Sequence, residues 1–113
     1  MKFALHGMCS LYNNVVSDIR LAEETGYQGL EIHTEKLWRY INSGLSSADL
    51  KRRLDNAGIK PSAIDIVGCV EAADKSTQQS VFKQVKTLCQ FASEIGAPTI
   101  QVNSFEALNG LSV

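Results

Sequence analysis

The sequence predicts an α/β fold built on a parallel sheet, and three observations carry that prediction. A unit of amphipathic stretch, glycine, one or two linking residues and a short β-rich run occurs three times. Gly26, Gly58 and Gly96 each fall just after the last periodic residue of such a stretch, where a helix commonly ends in a left-handed conformation that glycine adopts at little cost. Each stop leads at once into a strand, and strands separated by helices are the pattern of right-handed βαβ crossovers.

Taken in order, residues 2–6 read as an opening strand and residues 14–25 as a helix. In that helix Val15, Ile19 and Ala22 share a face while Asp18, Glu23 and Glu24 point away. Gly29-Leu30-Glu31-Ile32-His33 is the second strand, and residues 34–45 read as a long loop. A second helix over residues 46–57 opens with Ser46-Ser47-Ala48-Asp49 at capping-box spacing and carries the stripe Leu50, Leu54 and Ala57. The third strand is residues 61–67. A third helix over residues 76–95 has Val81, Val85, Leu88 and Ala92 on its apolar stripe, with Phe82 and Cys89 beside it, and residues 99–103 form the fourth strand. The order is β-α-β-α-β-α-β, in one domain over residues 1–113.

The strands decide the architecture. Opposite the apolar sets Phe3/Leu5, Leu30/Ile32 and Ile100/Val102 stand Ala4/His6, Glu31/His33 and Gln101/Asn103. A doubly wound sheet, covered by helices on both faces, calls for nearly continuous apolar strands. In a (β/α)8 TIM barrel one face packs on helices and the other points inward, with polar residues near the C-terminal strand ends lining a mouth. The expected fold is therefore the N-terminal half of such a barrel. No Gly-x-Gly-x-x-Gly or Walker sequence follows the first strand.

Composition narrows the function. Eleven Lys+Arg against twelve Asp+Glu give a net charge of −1, so no basic excess exists to hold a nucleic acid or an anionic membrane surface. The apolar run at residues 63–70 is broken by Asp65 and is far short of the ~20 residues of a membrane span. The opening residues do not read as an export signal, and the expected location is cytoplasmic. Cys9, Cys69 and Cys89 form no Cys-x-x-Cys pair and read as free thiols.

Three segments resemble the sugar phosphate isomerase/epimerase family of xylose-isomerase-like barrels, above all its inosose isomerase/dehydratase, hydroxypyruvate isomerase and ketose 3-epimerase branches. They are Ala22-Glu23-Glu24-Thr25-Gly26-Tyr27-Gln28-Gly29-Leu30-Glu31-Ile32, Leu54-Asp55-Asn56-Ala57-Gly58-Ile59-Lys60-Pro61 and Cys89-Gln90-Phe91-Ala92-Ser93-Glu94-Ile95-Gly96-Ala97. The resemblance implies metal-assisted isomerisation or epimerisation of a small sugar or polyol, by proton transfer next to a carbonyl. It also implies a divalent metal (Mn, Co, Mg or Zn) held by a Glu, an Asp, a His and a Glu of later strands, the two Glu doubling as the acid/base pair. Barrels of this kind run to ~250 residues. By that resemblance the catalytic residues are expected downstream of Val113. The expectation for this chain alone is thus no catalytic residue, no bound metal and no turnover.

What the chain offers is a set of candidate substrate contacts. Glu31 and His33, two apart on one strand, point the same way, and a carboxylate beside an imidazole suits hydroxyl binding or proton relay. His33 is also a weak candidate metal ligand, because DNA-repair relatives of the fold take zinc-binding His from early strands. His6, ending the first strand, belongs to the same pocket floor. Gln101 and Asn103 supply neutral donors and acceptors for sugar hydroxyls. Trp38, with Tyr40, stands in the 34–45 loop, where a ring can stack on a sugar face. Cys69 lies just past the third strand, at the position of a pocket rim. Lys51-Arg52-Arg53 reads as a solvated helix surface. The competing readings are a non-catalytic half-barrel that forms a homodimer through its open strand edges, a self-contained four-stranded binding domain, which would need apolar residues at Glu31, His33, Gln101 and Asn103, and an endonuclease relative, which the neutral charge disfavours.

Overall fold

Four parallel strands lie side by side in chain order in the computed structural model, which describes residues 1–104. They are β1 (Ala4–His6), β2 (Gly29–His33), β3 (Lys60–Val67) and β4 (Ile100–Val102). Each crossover moves the chain one strand along in the same direction, which is how a barrel winds; a doubly wound sheet reverses. Four α-helices connect them among the described residues: α1 (Val15–Glu24), α2 (Thr34–Asn42), α3 (Ser47–Ala57) and α4 (Lys75–Ile95), with one 3-10 turn at Gly7–Ser10.

The local signals act as the sequence predicts. Asn14, Ser46 and Asp74 accept the backbone N–H of Ser17, Asp49 and Thr77 at 2.9, 3.1 and 2.7 Å, satisfying helix-start donors. Gly26, Gly58 and Gly96 have φ of 80°, 67° and 83°. The core lies between the sheet and the helices: Leu30, Ile32 and Ile64 meet Val15, Ile19, Ala22, Leu50, Leu54, Leu88 and Ile95. Phe3 departs from expectation, because β1 begins at Ala4 and leaves Phe3 55% exposed.

The larger correction concerns residues 34–45. Most of this stretch is the helix α2, so the order is β1-α1-β2-α2-α3-β3-α4-β4. Leu37, Tyr40 and Ile41, spaced three and four apart, pack toward the core, and Trp38 is partly buried against it. Trp38 and Tyr40 are therefore packing residues on a helix, not rings on a loop over a pocket mouth. Lys36 disguised the pattern. Its side chain is fully buried: Nζ donates to Asp18 Oδ2 (2.6 Å), Ser10 O (2.7 Å) and Gly7 O (2.8 Å). Ser10 Oγ donates to the other Asp18 oxygen, so this network ties α1, α2 and the Gly7–Ser10 turn together with its charges paired.

Candidate functional site

The site grows from the inner face of the strands, from the C-terminal end of β1 outward. His6 is the last residue of β1, in register with Glu31, which is in register with Ala63 of β3; two residues further along β2, His33 pairs with Asp65. In a parallel pair, residues in register show the same face. Glu31 and Asp65 thus share the inner face, and the small Ala63 between them crowds neither.

Three ionisable side chains converge there. His6 Nε2 lies 3.3 Å from Asp65 Oδ2 and 3.6 Å from Glu31 Oε1. Gln101 reaches back from β4, its Nε2 donating to Glu31 Oε1 at 2.5 Å. Asp65 is buried, Glu31 is half-buried, and the His6 ring is 41% exposed. An open groove lined by His6, Met8, Cys9, Asp65, Ile66 and Gln101 passes over the group. It offers an imidazole, a carboxylate and an amide at a floor otherwise made of sulfur and hydrocarbon, with Glu31 behind, and no Lys or Arg among the described residues lines it. Such a set suits hydroxyl and carbonyl oxygens better than an anion.

The structure brings together His6, Glu31 and Gln101 from among the residues singled out by sequence. His33 is not in the group. The Gly7–Ser10 turn lies directly on it, so close that a Cβ on Gly7 would sit 2.9 Å from the His33 backbone nitrogen and 3.1 Å from its Cβ. Beneath this cover His33 is buried and Nδ1 has no hydrogen-bond partner among the described residues. Asn103 is half-buried and its backbone N–H donates to Val67 O at 2.8 Å, fastening the end of β4 to β3. Cys69 is half-buried beyond β3 at φ 57° and is not among the residues that line this groove. Trp38 sits on α2, away from the groove. Val113, past which the sequence reading sets the catalytic residues, lies outside the described residues 1–104.

Sequence reading missed Asp65, Met8 and Cys9. Asp65 did leave a signal: a lone carboxylate inside an apolar strand run needs a polar interior to face. By distance alone His6, Glu31 and Asp65 are also the one candidate metal-holding group among the described residues, with donor atoms within 4.8 Å of one another.

No protein-family model and no curated protein matches the chain. Solved structures do. The IolI protein, solved with a bound zinc atom, superposes with a TM-score of 0.83 at 23% identity over 93% of this chain and 38% of its own. The probable 3-DHS dehydratase AsbF of Bacillus anthracis, involved in petrobactin synthesis, gives 0.71 at 14% identity over 90% of this chain and 38% of its own. A xylose isomerase-like TIM barrel/4-hydroxyphenylpyruvate dioxygenase fusion protein gives 0.75 at 16% identity over 95% of this chain and 17% of its own. The chain spans well under half the length of each. No helix among the described residues is long and apolar enough to cross a membrane. Strand order, inner-face polarity and these superpositions agree: the described residues have the fold of the N-terminal half of a xylose isomerase-like TIM barrel.

Proposed function

We propose that this chain is the substrate-binding first half of a sugar or polyol isomerase, epimerase or dehydratase barrel. The observation that carries the proposal is the convergence of His6, Glu31, Asp65 and Gln101, one residue from each of the four strands, with His6 at the C-terminal end of β1, the end at which barrels of this kind bind substrate. Glu31 and Asp65 accept hydrogen bonds from substrate hydroxyls, Gln101 donates, and the apolar groove floor takes a carbon face. The divalent metal that the resemblance implies would polarise a carbonyl for proton transfer. Its ligands and the acid/base pair belong to later strands, downstream of Val113, so the described half binds and orients without turning over. The setting is cytoplasmic, and neither nucleic acid nor membrane is a partner.

The test is a titration of the chain with fructose and inositol, followed by NMR of the Gln101 side-chain amide. Binding should move that resonance, and Glu31→Ala should weaken binding roughly tenfold or more, as loss of a charged hydrogen-bond partner does. Titration with no effect on Gln101 would sink the binding reading. Turnover by the chain with added divalent metal would overturn the placement of the reactive groups on later strands.

A second reading has its own observation. The outer edges of β1 and β4 pair with no other strand among the described residues, and an apolar trough beside β4 is lined by Val85, Ala92, Pro98, Ile100 and Val102. A half-barrel homodimer, each β1 edge set against the other copy's β4, would fill that trough and serve as a binding or structural module.

A further inference from the structure

The two ring nitrogens of His6 have unlike surroundings. Nδ1 accepts the backbone N–H of Met8 at 3.0 Å, the bond that caps the Gly7–Ser10 turn. Nε2 faces carboxylate oxygens of Asp65 at 3.3 Å and Glu31 at 3.6 Å. A neutral imidazole has one N–H and one lone pair. With the lone pair at Nδ1 engaged by Met8, the proton belongs on Nε2, between two acceptors. These three contacts agree with this one tautomer.

We infer that His6 is a fixed-tautomer hydrogen-bond donor that shares its one Nε2–H between the neighbouring carboxylates and a substrate oxygen in the groove, and that it is not a ligand to a divalent ion. The substrate part rests on the polyol-binding reading; the tautomer part stands on the ring's own contacts. A metal at Nε2 would need the lone pair there and the proton on Nδ1, and an Nδ1–H would point at the Met8 N–H, donor against donor. Histidines that ligate metals place the second nitrogen against an acceptor instead. The spacing of the His6, Glu31 and Asp65 donors within 4.8 Å therefore fits a cation by distance and fails by proton placement. A neutral imidazole whose Nδ1 is held by a backbone amide polarises a carbonyl or hydroxyl oxygen without releasing a proton outright. The Met8 amide is a positioning group that acts through His6, while Asp65 flanks the same Nε2 edge in the groove.

The experiment uses the chain labelled with 15N at histidine. It holds two histidines, so His6→Gln assigns the ring signals, and should that variant not fold, His33→Gln assigns them by difference. A long-range proton–nitrogen spectrum is recorded with the ring neutral, then with equimolar zinc, then with inositol. The expected result is a proton on Nε2 and a lone pair on Nδ1, no change with zinc, and an inositol-dependent shift at Nε2 but not at Nδ1. A proton on Nδ1, or a zinc-dependent shift at Nε2, overturns the inference. Inositol that moves the Gln101 amide but leaves Nε2 unchanged overturns it too while the polyol reading stands. If inositol does not bind at all, the polyol reading and the substrate named here fall together, and the tautomer and zinc results still decide between donor and ligand.

Discussion

Lys36 and Asp65 are polar residues whose surroundings, not their type, set their place. Both are buried, each against groups distant in sequence, and that is why neither stood out as a site or core residue in the sequence. Glu31 and Gln101 were legible because strand alternation alone puts them on the inner face. Their meeting across β3 was not, since it depends on the register of three strands. For Lys36 the energetics are direct. Removing one partner of a buried ion pair leaves a charge without compensation, at a cost of about 3–5 kcal/mol, against a total stability of about 5–15 kcal/mol. Lys36→Met should therefore lower the urea midpoint severely. Lys36→Met combined with Asp18→Leu should recover most of the loss. A single variant within about 0.5 kcal/mol of wild type, on the order of a surface change, would contradict the role given to the pair.

The elements most legible in the sequence were those with explicit punctuation. A capping side chain at the start and a left-handed glycine at the end fixed α3 to within a residue. The helix α2 lacked such a start: His33, its first flanking residue, gives no side-chain cap, and α2 follows β2 without an intervening turn. One contact between elements makes a pH prediction. Tyr40 of α2 donates its hydroxyl to Asp49 of α3. Burial first, and then that bond, push the Tyr40 hydroxyl up to about 12, while the bond from Tyr40 and then Arg53 hold Asp49 below its usual value. A raised phenol stabilises fully below its unfolded value of about 10 and loses that contribution as the pH rises through about 12. A lowered carboxylate stabilises above its ordinary range and loses the contribution as the pH falls below it. Thermal melts should show a fall in Tm between about pH 10 and about 12, and Tyr40→Phe should remove that limb. The acid limb should persist in Tyr40→Phe, because Asp74, bonded by Thr77, and Glu94, bonded first by Ser47 and then by Gln90, are also lowered.

At the scale of the molecule, a barrel closes only when every strand edge is paired. The described sheet ends in two open edges, and Val102, at the β4 edge, is 59% exposed. Light scattering on the isolated chain should report a concentration-dependent dimer. Val102→Lys should shift it toward monomer by setting a charge in the apolar trough. A monomer at every concentration would remove the half-barrel pairing and favour a chain whose edges are met by further strands. The parallel order of the strands could be foreseen from the helix–glycine–strand repeat. Which edges stay open is a property of the assembled sheet and had no local signature.

The buried Lys36 ammonium has a kinetic consequence for the mouth. It grips the carbonyls of Gly7 and Ser10, both ends of the turn that carries Met8. Short surface turns ordinarily open at little free-energy cost and exchange their amides quickly. Here local opening would first have to pull an ammonium away from a carboxylate and two carbonyls inside the core. The Met8 amide, although its residue is half-exposed, should exchange with deuterium nearly as slowly as the core of β2, so that the mouth opens only when the helix layer beneath it does.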